Sequence, residues 1–238
     1  DTSLVYTLRE VELIKEYVRK ALGLRSGDNP FLVEARNLHI SDMRWGGLIG
    51  NENTPYTVTL KAYGYRKLFV ISPTSIWIIW PFLEFNLLTR LSRTSTEGTV
   101  IFDGESVPED KRIRLRDEEY TSMIEIIRQP PKTQYWFIAF DTISHEGNPN
   151  IQSSPHKLRI KIAGEAAHVL SSLPSLSFNC TLSVKSFYEL TDVSSFYSLM
   201  RSMLQGSRIN YQTDGLIFTP ENAPYNPWAG RRIAKLRD

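Results

Sequence analysis

The chain has 238 residues, of which 41% are hydrophobic and 23% charged, enough to bury a sizeable core as one large domain, alone or with an appendage. Its net charge of +2 does not by itself announce a nucleic-acid partner, so local basic clusters matter more than the total. The single cysteine, Cys180, excludes an intrachain disulfide and a multi-cysteine metal site, and favours a reducing compartment. His39, His145, His156 and His168 show no metal-ligand spacing and read as solvated or hydrogen-bonded structural residues. The most apolar stretch, Ser75 to Leu88, is interrupted by Pro81, Glu84 and Asn86, so no membrane span is expected. The chain opens without Met or a signal peptide and is expected to be a segment of a longer polypeptide.

In chain order, Leu8, Val11, Ile14, Tyr17, Val18, Ala21 and Leu22 recur at helical spacing, with Thr7 as cap and Gly23 as stop. Residues 1–27 thus form an N-terminal helix that docks on the domain or links to a preceding one, and residues 28–238 form the main domain. Residues 27–56 are rich in turn formers and read as a long irregular approach. Strands follow at about 57–62, 66–71, 75–80 and 98–102, close enough in sequence to predict an antiparallel sheet. Between the first two, Lys61-Ala62-Tyr63-Gly64-Tyr65-Arg66-Lys67 reads as a hairpin turning at Gly64.

Asp103-Gly104-Glu105 is expected to end the fourth strand. Residues 109–133 are charged, with a helix expected over 117–128. Lys111, Arg112, Arg114 and Arg116 there form a basic cluster, read either as an RNA-phosphate contact or as a solvated insertion. Tyr135 to Asp141 is a further strand, with Tyr135, Phe137 and Ala139 on one face and Phe140 on the other. A short helix over Gly164–Leu173, a strand over Thr181–Phe187 carrying Lys185, and a helix over Ser194–Leu204 with Phe196, Leu199, Met200 and Met203 inward precede a last strand over Thr213–Thr219.

Five of these stretches fall in a telling order: Lys61 to Lys67, Asp103-Gly104-Glu105, Phe140-Asp141, Lys185 and Asp214-Gly215-Leu216-Ile217-Phe218. Together they resemble the nucleotidyltransferase motifs of the covalent superfamily that contains mRNA capping guanylyltransferases and polynucleotide ligases. Thr213 to Pro220 followed by Ala223-Pro224-Tyr225 looks most like a capping guanylyltransferase of the large-DNA-virus type. The resemblance covers about residues 57–225. It implies an α+β, ligase-type (ATP-grasp-like) nucleotidyltransferase domain of antiparallel sheets with flanking helices and the nucleotide in a groove between them.

The activity so implied is GTP:RNA guanylyltransfer. Lys61 attacks the α-phosphorus of GTP, pyrophosphate leaves, and GMP passes from the lysine to a 5′-diphosphate RNA end. The amine must be neutral to attack, which desolvation, the positive charge of Arg66 and a bound cation all favour. By the same resemblance Asp214 is the ligand for Mg²⁺ or Mn²⁺, Glu105 and Arg66 meet the ribose or α-phosphate side, and Phe140 stacks on guanine. Lys185 donates to the guanine carbonyl and Lys67 joins the nucleotide-binding set. Met43 to Leu48 is read either as purine lining or as a packed loop. Triphosphatase and methyltransferase domains or subunits are the implied partners, in a cytoplasmic setting (a viral factory or virion if the source is viral).

The sequence departs from that pattern in two places. The third position of the usual Lys-x-Asp-Gly motif is Tyr63, which changes charge, length and hydrogen bonding beside the nucleophile. Lys235-Leu236-Arg237 only approximates the Lys-x-Lys strand that holds the α-phosphate, and the oligonucleotide-binding-fold domain that closes over the pyrophosphate is expected beyond Asp238. The rival readings are an ATP-dependent RNA or DNA ligase adenylation domain, and a catalytically impaired nucleotidyltransferase fold that binds RNA.

Overall fold

The computed structural model describes residues 7–24, 33–80, 84–91, 98–108, 135–172, 180–190, 193–204, 211–226 and 232–237. The first helix, α1, spans Leu8–Leu22. The Thr7 hydroxyl accepts from the Glu10 amide at 3.2 Å, and the Glu10 carboxylate accepts from the Thr7 amide at 2.8 Å, closing a reciprocal cap. Gly23 ends the helix in the left-handed region, at φ 64°. Its apolar face, Val18 and Leu22 with Ile14 and Tyr17, packs on Leu68, Val70 and Trp77, so the helix docks on the sheet behind it.

Eleven strands follow among the described residues: β1 (Arg36–Asn37), β2 (Tyr56–Ala62), β3 (Tyr65–Ile71), β4 (Ser75–Trp80), β5 (Glu84–Arg90), β6 (Val100–Pro108), β7 (Tyr135–His145), β8 (Cys180–Val184), β9 (Tyr188–Glu189), β10 (Thr213–Pro220) and β11 (Ala234–Arg237). They form two sheets, one ordered β1-β11-β10-β2-β9 and the other β5-β4-β3-β6-β7-β8. Pairing is antiparallel except for β1 with β11 and β7 with β8. Helices α2 (His156–Ser171) and α3 (Val193–Leu204) flank them. This is an α+β architecture of antiparallel sheets with flanking helices.

Strand alternation sorts three apolar layers. Leu68, Val70, Ile101 and Ile143 meet α1 on the inner face of the larger sheet. Phe69, Phe102, Phe137 and Ala139 meet Ala163 and Ala166 of α2 on its outer face. Val58, Leu216 and Phe218 of the smaller sheet meet Phe196, Leu199 and Met200 of α3. The side chain of Met203 lies outside the described residues. What remains between the two sheets is the inner face of each, and there the polar strand positions gather.

Several expectations change. The stretch Lys61 to Lys67 is not a hairpin: β2 belongs to the smaller sheet and β3 to the larger, so the chain crosses from one to the other at Tyr63-Gly64. Gly64 is needed for close approach, since a Cβ there would stand 2.4 Å from Val107 Cγ1 and 2.5 Å from the Ser106 carbonyl oxygen. Strand β6 does not end at Asp103 but runs on to Pro108, because β3 and β7 pair with it on both sides through this stretch. Strand β5 was hidden by its polar Glu84 and Asn86, which sit on an edge strand. Helix α2 starts at His156 rather than Gly164: Pro155 opens it, and Gly164 lies mid-helix with open space around its Cα. Strand β8 stops at Val184, one residue before Lys185, although the Lys185 amide still donates to the Ala139 carbonyl at 3.0 Å. The expected helix 117–128 and the cluster Lys111, Arg112, Arg114 and Arg116 lie outside the described residues.

Candidate active site

A cavity of about 380 Å³ opens between the sheets. The smaller sheet contributes Thr59 and Lys61 from β2, Ile217 and Thr219 from β10, and Lys235 and Arg237 from β11. The larger sheet contributes Arg66 from β3, Glu105 from β6, and Phe140 and Asp141 from β7. Lys185, Phe187, His156 and Tyr225 line it from loops and from the start of α2. Lys61 and Arg66, five positions apart in the chain, therefore face each other from different walls.

The Lys61 ammonium lies 2.7 Å from Asp214 Oδ1. Simple alternation along β10 would send Asp214 outward with Leu216 and Phe218. A register shift against β2 between Thr213 and Leu216 turns it inward instead. Gly215 permits that bulge: its φ is 139°, and a Cβ would come within 1.9 Å of the Leu236 carbonyl oxygen on β11.

Along the larger sheet, Arg66 is held by Asp103 through Nε at 3.1 Å and Nη2 at 2.6 Å, and Nη1 donates to the Val33 carbonyl. Burial works against the Arg66 charge, but the Asp103 carboxylate outweighs it and holds the guanidinium firmly protonated. The guanidinium carbon sits 5.5 Å from the centroid of the Phe140 ring. Tyr225 donates its hydroxyl to Asp103 Oδ2 at 2.6 Å.

Lys185, also in the lining, is 3% exposed, and its Nζ has no hydrogen-bond partner among the described residues. It lies 5.2 Å from the Phe140 ring centroid. Burial pulls this amine down from the ordinary lysine range, and nearby Glu105 pushes back. Glu105 is its counterpart: burial raises its carboxyl, Lys185 and Lys61 oppose the rise, and Oε2 also lacks a partner. A buried donor and a buried acceptor, both unsatisfied and both facing one cavity, are costly unless a ligand meets them.

Of the residues singled out in the sequence, Lys61, Arg66, Glu105, Phe140 and Lys185 line this cavity, and Asp214 joins them through its ion pair with Lys61. Lys67 does not. It is the strand neighbour of Arg66 and so points to the outer face, with Nζ 3.5 Å from the centroid of the Trp80 ring. Met43 ends a short 3₁₀ helix (Ile40–Met43), and Leu48 in the loop that follows packs behind the smaller sheet; Val33, Glu34 and Ala35 line the cavity instead.

His156, read as structural, is also at the cavity. Its Nε2 lies 2.9 Å from the Phe140 carbonyl oxygen, and its ring meets Phe187 edge-on at 4.6 Å. Burial lowers its affinity for a proton while Asp141 and the Phe140 carbonyl oppose that. Neither His156 nor Tyr225 carries a spacing signal for this position; Tyr225 had only its place after Ala223-Pro224.

No protein-family model matches the chain, and no curated protein matches it in sequence. Solved structures do match in fold. The ligase domain from M. tuberculosis LigD superposes with a TM-score of 0.51 at 15% identity, over 87% of this chain and 59% of that one. A structure named Pmar-Lig_Pre superposes with a TM-score of 0.52 at 10% identity, over 87% of this chain and 46% of that one. The chain thus spans about half the length of these neighbours, and it shares the fold of that ligase domain. No helix among the described residues is long and apolar enough to cross a membrane.

Proposed function

We propose that the chain carries out nucleotidyl transfer through a covalent lysyl-nucleotide at Lys61, with GTP as donor and a 5′-diphosphate RNA end as acceptor. The observation that carries this is the pairing of Lys61 with Asp214 at a cavity whose lining also holds the unsatisfied Lys185 amine beside Phe140. Phe140 offers a stacking face for a purine. Lys185 is a donor: guanine presents a carbonyl oxygen to it, whereas adenine has an amino group at that position. Arg66, Lys235 and Arg237 bring three cations to the cavity, suited to a triphosphate.

In the first step the Lys61 Nζ lone pair forms a bond to the α-phosphorus as the bond to pyrophosphate breaks. Asp214 Oδ1, already hydrogen-bonded to Nζ, is positioned to accept the proton that the amine must lose. Arg66 meets charge on the non-bridging oxygens, and its clamp by Asp103 fixes it before substrate arrives. In the second step the RNA diphosphate oxygen attacks the same phosphorus and the lysine leaves. A triphosphatase that makes such an RNA end and a methyltransferase that modifies the product are the partners this reading calls for.

No group of three or more metal-ligating side chains exists among the described residues. Asp214 and Glu105 nevertheless give oxygen donors of the kind Mg²⁺ or Mn²⁺ takes when most of its shell comes from phosphates and water. Asp214 would hold such a cation, which supplies charge stabilisation at the departing pyrophosphate.

The second reading, adenylation by ATP as in a ligase, is favoured by the fold of the neighbours. One experiment separates the two. The protein is incubated with α-labelled GTP or ATP and Mg²⁺ or Mn²⁺, then analysed by denaturing gel and intact mass. A GMP adduct lost in Lys61→Ala supports guanylyltransfer, an AMP adduct supports the ligase reading, and no adduct overturns both.

A further inference from the structure

We infer that Tyr225 is a positioning residue for this transfer, orienting Arg66 through Asp103, and that Arg159 fixes the loop from which Tyr225 reaches it. The inference rests on the reading of Arg66 as the phosphate-facing cation.

Asp103 is fully buried, and its carboxylate is shared between two elements far apart in the chain. Arg66 takes it side-on through two nitrogens. Tyr225, 122 residues downstream, donates to the same Oδ2 that receives Arg66 Nη2. The phenol stays protonated, because burial and the adjoining carboxylate both raise it, so the bond keeps one direction. Its ring is packed in the same apolar layer as Leu68 and Ile143, which leaves the hydroxyl little freedom. Asp103 therefore has its lone pairs committed in fixed directions, and the guanidinium inherits that orientation.

The loop that delivers Tyr225 is tied down from α2. Arg159, 3% exposed, donates to the Ala223 carbonyl at 2.8 Å and to the Ser154 carbonyl at 2.5 Å. The same guanidinium grips Asp141, the residue after Phe140, through Nε at 2.6 Å and Nη2 at 3.2 Å. The Tyr225 amide donates to the Gln152 carbonyl at 2.8 Å, and the His156 amide to the Glu221 carbonyl at 2.8 Å. One unbroken series of contacts thus joins Phe140 to Arg66 by way of Asp141, Arg159, Ala223, Tyr225 and Asp103. A base on Phe140 and a phosphate at Arg66 are held in register by protein rather than by the nucleotide alone.

The test is Tyr225→Phe, which removes one hydroxyl and keeps the ring. Initial rates of lysyl-nucleotide formation are measured across nucleotide concentration, beside nucleotide Kd and melting temperature. The expected result is a maximal rate lower by about tenfold, the scale of one hydrogen bond to a charged group. KM and Kd stay within about twofold, because the apolar walls and Phe140 are untouched. An unchanged rate overturns the inference, and so does a loss that tracks weaker nucleotide binding or a lower melting temperature. Adduct formation by the unaltered protein with an unimpaired Tyr225→Phe removes this inference alone. No adduct from the unaltered protein removes the transfer reading and this inference with it.

Discussion

Two nearly sealed lysines lie on opposite sides of the larger sheet and have different fates. Lys185 is 3% exposed and Lys67 7%. Burial pulls both amines down, Lys67 to about 7. Lys67 sits against the Trp80 ring in the layer that α2 covers, where the aromatic face partly offsets its lost hydration. Lys185 has Phe140 at a longer distance and open volume beside its Nζ. A buried charge is therefore not in itself the mark of a site. What separates the two is that Lys185 lines the cavity between the sheets and Lys67 does not.

That contrast is open to direct attack. The largest effect is expected from Lys61→Ala, which abolishes the adduct on a denaturing gel, since the proposed transfer runs through that amine and Asp214, its proton acceptor, pairs with Lys61. Next comes Lys185→Met, expected to cut the preference for GTP over ATP by about 10- to 100-fold in competition binding, the scale of a hydrogen bond to a charged donor. Phe140→Leu is expected to weaken nucleotide binding by about tenfold without changing base preference, because it removes a stacking face and no polar contact. Fluorescence titration with each nucleotide distinguishes these two.

The smallest effect on nucleotide chemistry is expected from Lys67→Met, with adduct formation within about twofold of the unaltered protein. Its signature is in stability instead. Between about pH 7 and 10.5 the folded amine is neutral while the unfolded one still holds its proton. The unfolded state then binds more protons, and stability climbs with pH across that window. Lys67→Met removes the climb and stabilises the protein near neutral pH by about 2–3 kcal/mol, as melting curves over the pH range would record. Activity lost with Lys67→Met, or stability unchanged, would break the contrast between the two faces.

Much of the site was legible because its chemistry is written in short local motifs. Lys61, Arg66, Glu105, Phe140 and Asp214 are picked out by the resemblance of their motifs to a known superfamily, and the structure brings them together. Lys67 was misplaced although strand alternation alone sets it opposite Arg66. The hairpin reading of Lys61 to Lys67 failed for a deeper reason: which sheet a strand joins depends on partners far away in the chain, such as β10 (Thr213–Pro220) for β2 (Tyr56–Ala62), and no local pattern encodes that. Asp214 shows the reverse case, where alternation would mislead and a bulge at Gly215 corrects it. His156, Arg159 and Tyr225 act through single contacts between distant elements, so neither periodicity nor spacing marks them.

The sheet-to-sheet crossing at Tyr63-Gly64 also limits how the two walls can move. Lys61 and Arg66 are separated by five peptide links, and a fully stretched chain of that length reaches about 17–18 Å. However widely the two sheets part elsewhere, this leash keeps Lys61 and Arg66 at the same corner. If the two sheets are the covers of a book, these two residues sit beside its spine.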